Sequence, residues 1–272
     1  MTFREDVVQA DGFRIRFAEA GQGPALVHLH GAGGMRLTRA HALLSRSHRV
    51  IVFEMPGFGQ SPENTATQTL GGLAATMASA VSGLGIDAFN LMATSFGARV
   101  ALWLALRHPE RVQALVLEGP GAIRPPGHRP PSGPPEEMAR LLYAHPERAD
   151  LLSPADPAIA AKQRALVARL RGPDRDADLE ARMRDLATPT LVLFGNLDAV
   201  MPPEMGRHYK ALLPNCHLVF VYDAGHEIST DRPEAFAEVT ADFLERREAL
   251  SSAAPRRSSI HSHGAGCDAP AT

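Results

Sequence analysis

Lysine, cysteine and tryptophan are scarce in this chain of 272 residues. The lysines are Lys162 and Lys210, the cysteines Cys216 and Cys267, and the tryptophan Trp103. Two cysteines make no disulfide framework, and no zinc-ligand spacing pattern surrounds them. Cys216 precedes an apolar run and is expected as a small buried hydrophobe, while Cys267 lies in a polar tail. Net charge is only -2 and the arginines are scattered, which leaves no electrostatic basis for binding nucleic acid or an anionic membrane. No apolar run reaches the roughly 18 residues of a membrane span. Residues 1–6 place charges where a signal peptide needs apolar side chains. These absences predict a soluble, cytoplasmic protein acting on a small molecule.

Hydrophobic residues make up 44% of the chain, enough for a sizeable core. Residues 3–20 alternate as a hairpin turning at Asp11-Gly12. Short apolar runs at 26–30, 50–53, 89–93, 114–117, 190–194 and 217–221 read as strands, those at 50–53, 114–117 and 190–194 as buried ones. Helical patterns fall at 70–81, 96–107, 204–213 and 233–247. The alternation predicts an α/β fold, a mostly parallel doubly wound sheet. Residues 121–188 break the rhythm: a proline-rich entry leads to helical patches around Met138 and Leu166, with no strand. The organisation expected is a core of 1–120 and 189–250, an insertion at 121–188, and a disordered tail at 251–272. His261 and His263 fall in that tail and are read as part of its disorder, not as metal ligands.

Chemistry concentrates at strand exits. Ala93-Thr94-Ser95-Phe96-Gly97 takes a strand straight into a helix through a serine, with small residues two before and two after it. That spacing suits a sharp turn projecting the serine Oγ at a helix N-terminus, where N–H groups favour developing negative charge. A serine that only caps the helix is the plain alternative. His30-Gly31-Ala32-Gly33-Gly34 follows another strand. Its amides, Ala32 first and Gly33 second, could join the Phe96 N–H as oxyanion donors. A dinucleotide loop is excluded there, because the third glycine would fall at Arg36. Asp198 and His226 stand just past two later strands, completing the order serine, acid, histidine. Glu118, at the exit of the strand between them, is a second candidate acid. Arg124, soon after the sixth strand, could reach a substrate carboxylate, but an exposed loop arginine is the expectation.

With these residues in place the chain, over about 10–248, resembles the α/β-hydrolase family. Its Glu54-Met55-Pro56-Gly57-Phe58-Gly59-Gln60-Ser61 is similar to that family's D-x-P-G-x-G-x-S stretch, with glutamate for aspartate, and Arg107 to Val112 is similar to its connection after the nucleophile helix. The resemblance implies a helical cap at 121–188, Ser95 as nucleophile, Asp198 as acid, His226 as base, Ala32 and Phe96 at the oxyanion hole, and no cofactor or metal. It implies hydrolysis of an ester, thioester or lactone-like carbonyl through an acyl-enzyme. An acyltransferase with the same triad, or a ligand-binding protein of low turnover, are the alternatives. Dehalogenases and epoxide hydrolases of this fold use an aspartate where Ser95 stands, and the insertion has one tyrosine, Tyr143. Esterases, lactonases and hydrolases of ring-cleavage products remain as relatives. Glu118-Gly119-Pro120-Gly121 is similar to the last group, but Glu227 stands where they carry a tryptophan beside the histidine.

Overall fold

The chain opens as an antiparallel hairpin. β1 (Arg4–Ala10) and β2 (Phe13–Ala20) turn at Asp11 and Gly12, whose φ values of 48° and 81° match the twist of the flanking strands. This is a computed structural model, and it describes residues 2–129, 131–148 and 156–253. Six further strands follow: β3 (Ala25–Leu29), β4 (Arg49–Phe53), β5 (Phe89–Thr94), β6 (Val112–Glu118), β7 (Thr190–Gly195) and β8 (Cys216–Val221). The order across the eight-stranded sheet is β1-β2-β4-β3-β5-β6-β7-β8, and every pair from β4 onward is parallel. After β3 the chain builds outward to β4 and then returns past β3 to β5. The exits of β3 and β5 therefore flank the switch point, where ligands bind in open parallel sheets.

Side-chain alternation splits the core into two layers. Leu29, Phe53, Leu91, Leu115 and Phe194 face one cluster, shared with α2 (Leu70–Gly83), α3 (Phe96–Arg107), α6 (Ala177–Met183) and α7 (Gly206–Leu212). Leu26, Val52, Met92, Val116 and Leu193 face the other, under α1 (Arg39–Leu44), α8 (Ile228–Asp231) and α9 (Pro233–Ala253). Cys216 is buried in the first cluster, as its neighbours suggest. The helices α1 and α8 were not legible as periodic segments, since one spans 6 residues and the other 4. Helix α9 runs on to Ala253; the rest of the expected tail, with Cys267, His261 and His263, lies outside the described residues. Among the described residues no helix is long and apolar enough to cross a membrane.

The insertion contributes α4 (Pro135–Leu142) and α5 (Pro157–Arg169) as well as α6, and it lies over the carboxyl ends of the strands. Gln163 Oε1 accepts from Gly59 N–H at 3.0 Å, and Lys162 Nζ donates to Ser61 O, so α5 is fastened to the loop after β4. Arg36 donates to Tyr143 Oη at 2.6 Å, joining the loop after β3 to the end of α4. Asp231 binds the N–H groups of Gly225, Ala144 and His145, which ties the loop after β8 to the same region.

Arg124 corrects the expectation of an exposed loop arginine. It is 4% exposed and acts as a strap at the root of the insertion. Its guanidinium pairs with Asp174 at 3.2 Å and donates to the carbonyls of Gly121, Arg171, Gly172 and Pro173. The bend at Gly172, broken away from α5, presents those carbonyls in one direction, and the five-donor guanidinium is the side chain that can satisfy them together. Tyr209 Oη does similar work nearby. It donates to Pro120 O at 2.8 Å and accepts from the Ala122 and Ile123 amides.

Candidate active site

Ser95 sits between β5 and α3 with φ 51° and ψ -108°, a conformation costly for a residue with a side chain. Three bonds hold it there: Ser95 N–H donates to Glu118 O at 2.9 Å, and Ser95 O accepts from Ala98 and Gly121. Gly97 shows why the turn needs a small residue two positions on. A Cβ there would lie 2.3 Å from Leu29 O and 2.5 Å from His30 O. The first turn of α3 is thus pressed against the exit of β3, and Gly31 comes beside Ser95. The point a Gly31 Cβ would occupy is 3.5 Å from Ser95 Cβ.

The loop after β3 is oriented by a buried histidine. Met55 N–H donates to His30 Nε2 at 3.1 Å, so the proton is on Nδ1, which donates to Gly31 O at 2.7 Å. Burial pushes the His30 imidazole down to about 4 and keeps it neutral. Gly31 O also accepts from Gly34 N–H at 3.2 Å. With that carbonyl pinned, the Ala32 N–H points to the opposite side of the same planar peptide. Phe96 N–H opens α3, where first-turn amides lack an intrahelical acceptor. Both expected oxyanion donors are therefore positioned by the same contact between β3 exit and α3.

Asp198 and His226 are brought together by the exits of β7 and β8. Asn196 N–H donates to Val221 O and Leu197 N–H to Ala224 O, locking the two loops side by side. Asp198 Oδ2 lies 2.8 Å from His226 Nδ1, while its Oδ1 accepts from the amides of Val200 and Met201. His226 is 1% exposed. Burial pulls its pKa down, but the Asp198 charge and hydrogen bond, with Glu227 and Glu118 behind them, raise it overall. Its Nε2 is buried with no hydrogen-bond partner among the described residues. Gly119, at φ 48°, passes so close beneath the ring that a Cβ would lie 2.9 Å from Nδ1.

Glu118, the second candidate acid, is turned elsewhere. Its Oε1 accepts from Ser229 N–H and its Oε2 from Thr94 Oγ, both at 2.6 Å. It ends a polar chain that sequence reading missed. Thr38 N–H donates to His41 Nδ1, so the neutral His41 donates through Nε2 to His28 Nδ1 at 2.8 Å, and His28 Nε2 donates to Thr94 at 3.1 Å. Burial depresses the pKa of both histidines and keeps them neutral. The signal was in the strands: His28, Thr94 and Glu118 share the face of Leu26, Met92 and Val116, polar residues in otherwise apolar runs. The chain joins the segment before Ser95 to the segment after His226. Burial first, then the neighbouring Glu227, raises Glu118 to about 7.

Glu54 is also structural. It accepts from Ser61 and Arg16, closing the loop after β4 on itself. A cavity of about 310 Å³, lined in part by His128, Arg129 and Val200, opens beside the Asp198 turn, and neither Ser95 nor His226 borders it.

The chain matches the family model of the alpha/beta hydrolase fold over residues 24–163, and a model described as TAP-like protein over 167–249. It belongs to the alpha/beta hydrolase family and is a hydrolase of that fold. A 2-hydroxymuconate semialdehyde hydrolase from Pseudomonas putida is 31% identical, covering 90% of this chain and 95% of that protein. Among solved structures, a 2-hydroxy-6-oxo-6-phenylhexa-2,4-dienoate hydrolase from Rhodococcus sp. strain RHA1 is similar with TM-score 0.76 at 22% identity, covering 90% of this chain and 99% of that one. The naproxen esterase of Bacillus subtilis is similar with TM-score 0.71 at 18% identity, covering 89% and 92%. At such identities the structural likeness speaks for the fold.

Proposed function

We propose that this hydrolase cleaves an ester, thioester or lactone-like carbonyl through an acyl-enzyme on Ser95. The observation that carries the reading is His226: buried, held by Asp198 through Nδ1, and with Nε2 left unpartnered. A base so placed accepts the Ser95 proton on Nε2 as Oγ bonds to the carbonyl carbon. The carbonyl oxygen becomes an oxyanion held by the amides of Phe96 and Ala32. His226 returns the proton to the leaving oxygen or sulfur as its bond to carbon breaks. Water then attacks the acyl-enzyme, giving its proton to His226, and Ser95 leaves with that proton restored.

A second reading has support from relatives such as the 2-hydroxy-6-oxo-6-phenylhexa-2,4-dienoate hydrolase of Burkholderia cepacia, 27% identical. In it the leaving group departs as carbon, and the same serine and histidine serve. Against it stands Glu227, a carboxylate beside the site, where a substrate that is itself a carboxylate would be repelled. The test is a panel of esters, thioesters and lactones of graded acyl length, run beside a ring-cleavage dienoate, with intact-mass detection of the acyl-enzyme. A carboxylic ester among the best substrates, with an acyl adduct on the protein, supports the first reading. Turnover confined to the dienoate replaces it with the second. Turnover only when an alcohol or thiol acceptor is added indicates an acyltransferase.

A further inference from the structure

Glu227 follows His226, and its N–H donates to Leu142 O of the insertion at 3.1 Å, so it stands where core and insertion meet. Its Oε1 is 3.8 Å from the point a Gly31 Cβ would occupy, and Ser95 Cβ is 3.5 Å from that same point. The carboxylate and Ser95 flank one small volume at the sheet's switch point. His226 belongs to the same loop, with its buried Nε2 unpartnered.

The neighbouring acids are all occupied. Asp198 binds His226 and two amides, Glu118 binds Thr94 and Ser229, and Asp231 binds three amides. Among the described residues no side chain or amide donates a hydrogen bond to the Glu227 carboxylate; its partners act through charge alone. Those partners come from several elements. His226 on its own loop and Arg36 after β3 favour its ionised form; Asp198 after β7, Asp231 on α8 and Glu118 at the end of β6 oppose it. Arg36 also donates one hydrogen bond, of 2.6 Å, to Tyr143 of the insertion.

We infer that Glu227 selects substrates by charge: it admits acyl or leaving groups that are neutral donors or cations and turns away those carrying a carboxylate near the scissile carbonyl. The inference rests on Ser95 being the nucleophile. An amine, hydroxyl or amide N–H of the substrate would complete the carboxylate's hydrogen bonding. A substrate anion in that volume would be repelled at short range.

Matched organophosphonate probes, which phosphonylate an activated serine, test this without knowledge of the substrate. Three would differ only at the tip: a methyl ester, a carboxylate or a trimethylammonium group. The measured quantity is the ratio of labelling rates, carboxylate or cation over neutral. In wild type the order is cation, neutral, carboxylate. Glu227→Gln raises the carboxylate-to-neutral ratio by roughly ten- to a hundredfold, the range Coulomb's law gives for unit charges about 6 Å apart at an effective dielectric of about 20 to 40. Glu227→Ala moves it the same way, and the exposed Glu238→Gln leaves it alone.

A readout on the wild type needs no variant. Burial, with Asp198 and Asp231 adding to it, raises the Glu227 pKa. The carboxylate-to-neutral ratio should therefore fall as pH rises through that titration, and stay flat in Glu227→Gln. Titration of His226 alters all three rates together and cancels in the ratio. Labelling that depends on Ser95 but shows one ratio in wild type and both variants, flat with pH, overturns the charge selection and leaves the nucleophile standing. Labelling that survives Ser95→Ala overturns the nucleophile itself.

Discussion

Replacing Asp198 by asparagine asks whether the contact at 2.8 Å to His226 is the one that matters. The surroundings dictate how the new amide sits. Asp198 Oδ1 accepts from two amides, Val200 and Met201, each at 2.8 Å. An asparagine must keep its carbonyl oxygen there, because turning its NH2 toward two N–H donors would lose both bonds. Its NH2 then faces His226 Nδ1, which must accept rather than donate, and the ring proton moves to Nε2. Nε2 can no longer take the Ser95 proton, and the imidazolium loses its counter-charge. The expected cost is about 10³ to 10⁴ in kcat, about 4 to 5 kcal/mol in the barrier. The variant should remain folded, since both amide bonds survive. The acid limb of kcat/KM should also move to lower pH, because the group holding the His226 pKa up has lost its charge. The assay is kcat and its pH profile on one ester, with Glu118→Gln measured beside it. A larger loss in Glu118→Gln, with both variants folded, would refute this reasoning and move the acid to Glu118.

Glu118 should reveal itself in stability instead. Its folded pKa of about 7 lies above the ordinary glutamate value of 4.5, so the folded state holds a proton that the unfolded state releases, and stability falls as pH rises between those values. Glu118→Gln should flatten that decline in Tm measured from pH 4.5 to 7; an unchanged slope would place the decline in another group. Arg124→Ala should lower stability by about 3 to 5 kcal/mol, the cost of stripping the partner from a buried charged cluster, and so lower Tm by roughly 6 °C or more. Limited proteolysis should then cut first within 121–188, and cutting elsewhere would show that Arg124 is not the strap of the insertion.

The strands and the long helices were legible because each carries its own period: apolar runs bounded by glycine or proline, and a helix at 96–107 whose ends match the structure residue for residue. The candidate residues Ser95, Asp198 and His226 could each be read from a local motif, because the sheet places them at strand exits. What was not legible depends on contacts between distant segments. Arg124 looks like any loop arginine until the bend at Gly172, some fifty positions on, turns its carbonyls inward. His41 joins His28 only because α1 folds back over the sheet. Glu227 was visible as a substitution for an expected tryptophan, but its closeness to Ser95 depends on how the loops after β3 and β8 meet at Gly31.

The central claim is that Ser95 is acylated. Its most direct test is fluorophosphonate labelling of the full chain, followed by peptide mass mapping and by kcat for Ser95→Ala. The account predicts one adduct per chain, on the peptide holding Ser95, with no labelling of the folded variant and kcat reduced by several orders of magnitude. An adduct on another residue, or a folded Ser95→Ala with near wild-type turnover, would contradict it.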